Sequence, residues 1–287
     1  MKNLFKSVVA AFIILMSLSS QAQTKSTSLE NSLLWEISGK GLSKTSYLYG
    51  TIHMICSEDY FLSEKVKKAF DVSDKLVLEI NLADPKELAD AQQMAMGKET
   101  LDKTLTPDQL SKLEAILKSR TGLSVQQVNS YSLTTVMSLV LMKSFKCTDL
   151  KFYEMEFIAK AKERGMEVAG FESIKAQIAI FEKAYTNDEM LKMFEDMNET
   201  EAANTVSQYK KEHIQDVYNS LTDIKIMNSL AKNEMLDKRN ANWVQNLPNI
   251  VKEQSAFIAV GAAHLAGDLG VINLLRKAGY TVKPIMK

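Results

Sequence analysis

Two stretches decide the reading of this chain: Ser46–Met54, SYLYGTIHM, and Phe257–Leu265, FIAVGAAHL. In each, an apolar run of strand-forming residues stops at a glycine, Gly50 or Gly261, and a histidine follows three positions later, His53 or His264. The chain contains only three histidines, so two of them share one context. Glycine at the end of a strand permits a sharp turn or a close backbone approach. A residue just beyond it stands at the carboxyl edge of the sheet, where open α/β sheets bind ligands. If the two strands are neighbours, His53 and His264 meet. Two imidazoles facing one cavity form a metal site when carboxylates join them. Each histidine taken alone reads equally as a packing or capping residue.

Working outward, Ser32–Met54 reads as a β-hairpin whose arms flank the turn-forming cluster SGKGLSKTS. Lys75–Leu82 (KLVLEINL), Met166–Ser173 (MEVAGFES), Phe257–Val260 and Tyr280–Met286 read as further strands. Helices are expected over Ser63–Val72, Asp84–Met96, Thr106–Arg120, Ser132–Ser144, Lys151–Arg164 and Ala266–Ala278. Ser132–Ser144 is apolar on nearly every side, which predicts a helix buried all round. From Ile174 to about Leu247 only helical patterns occur, broken by polar turns. Strands at both ends with a helical middle predict an α/β domain, with α+β as the alternative. Its mixed sheet bears the two Gly-x-x-His loops, and its long helical insertion spans about 84–164 and 174–247. No Pro/Gly-rich linker divides residues 23–287, which read as one domain.

Composition excludes several classes. The 287 residues carry 35 basic and 35 acidic side chains, with no basic patch, so nucleic acid is not an expected partner. Lys2 and Lys6, the apolar run Val8–Leu18 and the small residues Ser20 and Ala22 read as a secretory signal peptide over 1–22. The run is short for a membrane span, which needs about 20 apolar residues. The mature chain, with no transmembrane span expected, would be periplasmic or extracellular. Its charge would be near −2 once Lys2 and Lys6 are removed. Export would permit a disulfide between Cys56 and Cys147, the only two cysteines. Two separate buried thiols are the other reading, and the one that a separation of 91 positions, silent on proximity, leaves ahead.

Carboxylates are available for a site. Glu79 lies inside the apolar strand LVLEINL, where an unpaired charge is costly to bury. Asn81 falls on the same face, two positions on. Glu172 ends the strand at GFES. Glu154 and Glu156 open a helix, where acidic residues favour the helix N-terminus, and Glu156 is read in that way alone. Arg239, in DKRNANW, suits either a substrate carboxylate or an internal acid. His213, in KKEHIQD, reads as a solvated helix residue. Neither HExxH, GxSxG, a Walker loop nor GxGxxG occurs.

The segments YLYGTIHM, KLVLEIN, GMEVAGFESIKAQ, KRNANW and FIAVGAAHLAGDLGVINLLRKAGYTVKPI follow one another in this chain. In that order they resemble the TraB/GumN family over about Leu33–Pro284. That family includes bacterial GumN-like proteins, plasmid TraB pheromone-shutdown proteins and animal TIKI proteins. The resemblance implies a metal-dependent protease with a divalent metal, manganese or cobalt first and zinc as the other choice, and a peptide or protein substrate. It implies His53, His264 and Glu79 as metal-binding residues and Glu79, Glu154, Glu172 and Arg239 as catalytic groups. Arg239 and Asn240 become substrate-binding residues. Glu154 stands where the family often has Asp, and GFES where it often has GLET. General-base duty is expected of Glu172 or Glu154. A non-catalytic protein that sequesters a peptide or ligand in the same cleft is the alternative. A structural partner in envelope polysaccharide export is a third reading.

Overall fold

Eight strands organise the chain: β1 (Leu34–Ser38), β2 (Ser46–Thr51), β3 (Met54–Cys56), β4 (Lys75–Ile80), β5 (Leu150–Phe152), β6 (Glu167–Glu172), β7 (Ala256–Gly261) and β8 (Thr281–Pro284). The computed structural model describes residues 29–286 except 146, 197, 198 and 252. The segment read as a signal peptide therefore lies outside the described residues. Six strands form one mixed sheet in the order β6-β4-β7-β2-β1-β8. β6, β4, β7 and β2 run parallel, and β1 pairs antiparallel with β2 and with β8. This is the mixed α/β sheet that the alternation of strands and helices predicts.

The two halves of the expected hairpin pair as Leu34 with Tyr49 through Ile37 with Ser46. Gly39, Lys40 and Gly41 turn the chain between them, all with positive φ. The second arm ends at Thr51 rather than running to Met54. Met54–Cys56 leaves the sheet and pairs antiparallel with Leu150–Phe152 in a separate two-stranded ribbon. That pairing also moves the start of the next helix from the expected Lys151 to Tyr153.

Helices cover both faces of the sheet. On one face Tyr49 and Phe257 meet Phe70 of helix Glu64–Asp71 and Phe157 of helix Tyr153–Glu163. On the other, Leu48, Ile258 and Val260 face Trp243 and Leu247 of helix Lys238–Val251 and Leu275 of helix Val271–Lys277. Strand alternation accounts for the split, because Phe257 and Ile258 point to opposite sides. Parallel strands covered on both faces read as continuous apolar runs, and every residue of β7 is buried.

A second core lies among helices Pro107–Arg120, Leu133–Lys143 and Asn187–Asp196, with Leu113, Leu117, Val136, Val140, Leu191 and Phe194 inside it. The Pro107–Arg120 helix starts as its sequence predicts, with Pro107 in the first turn and a capping box between Thr106 and Gln109. The Leu133–Lys143 helix is not buried all round. Leu133, Val136 and Val140 are buried, while Met142 is 36% exposed, because the helix packs on one side only. The expected helix Ala266–Ala278 forms only from Val271. Before it, Gly267 takes φ +84° and Gly270 N–H bonds to Gly267 O, so the chain turns where helix was expected.

Candidate active site

The four parallel strands deliver their carboxyl ends to one place, and each brings a polar residue singled out in the sequence. β2 and β7 are direct neighbours, with Gly50 opposite Val260 and Thr51 opposite Gly261. His53 and His264 lie just beyond them. β4 carries Glu79, and β6, on its other side, ends at Glu172. This is the ligand-binding edge of an open α/β sheet.

Neither motif glycine takes a positive φ. Their role is close approach. A Cβ on Gly50 would stand 3.1 Å from both Cα and Cβ of Ala262. A Cβ on Gly261 would stand 3.1 Å from His53 Nε2 and 3.4 Å from Glu79 Oε1. The residue with left-handed backbone is His53 itself, φ +49°. Met54 N–H donates to Ile52 O across it, closing a tight three-residue turn of the strained γ class. A non-glycine residue held this way costs on the order of 1–3 kcal/mol and persists only where its surroundings fix it.

The two imidazoles are held alike. Glu154 Oε1 lies 2.9 Å from His53 Nδ1 and accepts from Thr51 Oγ1 at 2.7 Å. Asn240 Oδ1 lies 2.6 Å from His264 Nδ1. With an oxygen acceptor at each Nδ1, the proton of a neutral ring stays there and Nε2 becomes the acceptor, which in His264 meets Arg239 Nη1–H at 3.3 Å. Both Nε2 atoms face one oxygen, Glu79 Oε1, at 3.9 Å from His53 and 3.8 Å from His264. Glu79 is only 6% exposed. Its Oε1 accepts Gly261 N–H at 2.8 Å, and its Oε2 accepts from Arg239 Nη2 at 2.6 Å and Gln177 Nε2 at 3.0 Å.

Arg239 is the buried centre of this network. Its Nε donates to both oxygens of Glu172, at 3.1 and 2.9 Å, and its Nη1 donates to Met235 O. Nη1 also lies 3.3 Å from His264 Nε2. Asn240 Nδ2 donates to Leu269 O, so both of its polar atoms are used within the protein. Arg239 and Asn240 thus stand behind the histidines rather than in front of them. Trp243 donates to Glu172 Oε1 at 2.9 Å, and its ring centroid lies 4.4 Å from that of His264. Asn81 turns away and bonds Val168 O. Glu156 pairs with Lys151 at 3.0 Å. His213 lies outside the site, ahead of helix Ile214–Leu221 and beside Gln208 and Asp216.

The two histidines are pushed in opposite directions. The His53 side chain is 56% exposed, and the groups packed around its ring still cost it water and disfavour the charged form, but Glu154 and Glu79 outweigh that cost and Arg239, and the pKa rises to about 9. Burial drives His264 down to about 3, and Arg239 and His53 offset the pull of Glu79. Burial also disfavours the Glu79 carboxylate, yet His264, Arg239 and His53 together hold its pKa well below the usual range. Since His264 is neutral near pH 7, Arg239 and protonated His53 are the cations that keep Glu79 ionised.

Glu79 and Glu172 pair with Arg239, and Glu154 pairs with His53. These three carboxylates and one guanidinium carry a formal charge of −2 with both imidazoles neutral, and the cluster stands at −1 when His53 keeps its proton. A divalent cation in place of that proton would balance the charge. The hollow between His53 Nε2 and Glu79 Oε1 is one that a Cβ on Gly261 would fill. Each imidazole also has the oxygen partner at Nδ1 that metal-binding histidines carry. The donors stand 3.8 and 3.9 Å from Glu79 Oε1, against about 3.4 Å along the edge of a tetrahedral site with bonds of about 2.1 Å. Among the described residues no group of three or more His, Cys, Asp or Glu side chains is arranged to hold a metal ion. Imidazole nitrogen and carboxylate oxygen are nonetheless the donor types that suit a divalent ion.

Three parts of this arrangement carry no signal in the sequence. Thr51 lies inside the motif Gly-Thr-Ile-His, in a stretch that reads as strand. Gln177 and Trp243 stand in the segments GFESIKAQ and KRNANW, without a spacing that ties them to Glu79 or Glu172. The Cys56–Cys147 bridge, one of two readings open in the sequence, forms, with Cα atoms 5.8 Å apart.

A mixed sheet of this order, with two Gly-x-x-His loops beside a buried strand carboxylate, defines the class. The model of the TraB/PrgY/gumN family matches residues 33–284, and the chain belongs to that family. No curated protein matches the chain.

Proposed function

We propose that the protein is an exported metal-dependent hydrolase that cleaves peptides or proteins outside the cytoplasm. The observation that carries this reading is the aim of His53 Nε2 and His264 Nε2 at one buried oxygen of Glu79, at 3.9 and 3.8 Å. Those three groups would hold manganese, cobalt or zinc, all of which accept imidazole and carboxylate ligands. Such an ion supplies Lewis acidity toward the scissile carbonyl and a water of lowered pKa.

The chain's own residues supply orientation and proton handling. Glu154 and Asn240 fix the two rings through Nδ1. Arg239 holds Glu79 ionised and pins Glu172, and Trp243 buttresses both Glu172 and the His264 ring. Glu154 is the better-placed general base. Its Oε1 serves Thr51 and His53, and 18% of its side chain faces solvent, whereas both oxygens of Glu172 meet Arg239. Arg239 and Asn240 are positioning residues, and the grip on a substrate falls to groups in front of the histidines.

A second reading has its own support. Both oxygens of Glu79 are already satisfied by Gly261, Arg239 and Gln177, so the network is complete as protein alone. A non-catalytic peptide-binding protein needs nothing more. The test is incubation of the protein with a peptide library and Mn, Co or Zn, followed by mass spectrometry of new chain ends. Cleavage that disappears in His53→Ala and His264→Ala supports the hydrolase. Peptide depletion without new ends supports the binding protein.

A further inference from the structure

We infer that the Cys56–Cys147 disulfide is a positioning latch for His53 and Glu154. The ribbon of β3 and β5 carries the bridge at one end and this pair at the other. Met54–Cys56 follows His53 directly, and Leu150–Phe152 leads through Tyr153 into Glu154. The register pairs Met54 with Phe152, Ile55 with Lys151 and Cys56 with Leu150. Tyr153 N–H donates to His53 O at 2.9 Å at the site end, and Ser57 N–H donates to Asp149 O at 2.9 Å at the bridge end. About 10 Å of strand therefore separates Cys56 from His53.

The ribbon needs such a latch. Two three-residue strands make a short ladder that is marginal on its own, and only Ile55 and Cys56 of the six residues are buried. They belong to neither edge of the main sheet. Yet they must hold His53 at φ +49° and keep Nδ1 within 2.9 Å of Glu154. The bridge is the covalent tie between the two strands and joins residues 91 positions apart; without it they are held by their own ladder, by Ile55 in the core and by buried Tyr153, which donates to Phe61 O. Loss of a group that orients a metal-binding histidine costs 10–100-fold in metal affinity.

Reagents would approach the latch through Cys147, which is half-buried, since Cys56 is 9% exposed at the wall of a cleft of about 500 Å³ that Phe145, Val206 and Lys210 also line. A dithiol opens the bridge by exchange. Its thiolate attacks one sulfur to give a mixed disulfide, and its second thiol closes on the first, leaving an oxidised ring and two protein thiols.

This inference rests on the proposed metal site for its functional consequence but not for its structural test. Hydrogen exchange would be followed in oxidised protein, in protein reduced with dithiothreitol and in Cys56→Ser/Cys147→Ser, with Mn²⁺ or Co²⁺ affinity measured alongside by calorimetry after removal of the reductant. The expected result is at least tenfold faster exchange at the Tyr153 and Ser57 amides with the bridge open. The Leu78 and Ile258 amides in the sheet should be unchanged. Metal affinity should fall 10–100-fold and return on reoxidation of the wild-type chain, but not in the double variant. Unchanged exchange in the ribbon, or an equal loss in ribbon and sheet, would overturn the latch. If the oxidised protein binds neither metal, the metal-site reading fails while the exchange comparison still decides the latch.

Discussion

Gly261 and His53 are packed so closely that a methyl group on the glycine Cα would stand 3.1 Å from the imidazole Nε2. It would also lie 3.4 Å from Glu79 Oε1, in the space where the two donors face each other. Gly261 has φ −53°, so alanine is compatible with its backbone. Gly261→Ala is therefore a probe of the hollow rather than of the turn. The expected outcome is a stability loss of about 1–3 kcal/mol from overpacking, with metal affinity and hydrolysis reduced at least 100-fold. Urea unfolding beside calorimetry with Mn²⁺ separates the two effects. Full metal affinity in the variant would show that this hollow is not the site.

Arg239 should carry more stability than any other polar residue of the site. Its guanidinium meets Glu79 at 2.6 Å and Glu172 at 2.9 Å, and all three side chains are nearly buried. Removing the cation strands two buried carboxylates. Breaking a buried pair in this way costs about 3–5 kcal/mol. Arg239→Met should lose that amount, whereas Arg239→Met combined with Glu79→Gln should recover part of it. Chemical denaturation of the four proteins of this double-mutant cycle measures the coupling, and strict additivity would contradict it.

Titration of the two site histidines should diverge in metal-free protein. His53 moves from an ordinary value of 6.5 up to about 9, and His264 moves from 6.5 down to about 3. Folded His53 holds a proton that the unfolded chain releases. Its contribution to stability is therefore complete below about pH 6.5 and lost as the pH rises through about 9. His264 has the opposite sign. The unfolded chain takes up a proton that the folded ring refuses, so stability falls as the pH drops from 6.5 toward 3. Ring-proton NMR in the presence of a chelator checks this. Two site histidines that both titrate near 6.5 would contradict it.

Glu154 and Glu172 should separate in mutants. Glu154→Gln keeps a side chain of nearly the same shape and removes the base, so hydrolysis should fall about 100-fold or more with little loss of stability. Glu172→Gln takes one carboxylate from buried Arg239 and should cost stability first, by about 1–3 kcal/mol. Steady-state kinetics and thermal unfolding of the two variants make the comparison. Equal activity loss in both, at equal stability, would return Glu172 to the candidates for base.

Much of this architecture was legible in the sequence. The apolar runs ending in Gly50 and Gly261 bring the two histidines together only if their strands are neighbours, and β2 and β7 do pair in parallel. Glu79 inside an apolar strand predicts a buried charge with a partner, and Arg239 is that partner. What was not legible depends on contacts between distant segments. β3 and β5 are three residues each, too short for periodicity to show, and their pairing links positions about a hundred residues apart. The late start of helix Val271–Lys277 turns on Gly267 and Gly270, which interrupt an otherwise continuous helical pattern. Of the two uses that a strand-end glycine permits, a sharp turn or a close approach, Gly50 and Gly261 serve the second, and the positive φ belongs to His53.

The central claim is that His53 and His264 share one divalent-metal site. The direct measurement is the metal content and affinity of the purified protein beside His53→Ala and His264→Ala, each checked for folding by circular dichroism. The account predicts one Mn, Co or Zn ion per chain in the wild type and a loss of at least 100-fold in affinity in either variant, with both folded. No metal bound by the wild type, or binding that survives both substitutions, would contradict it.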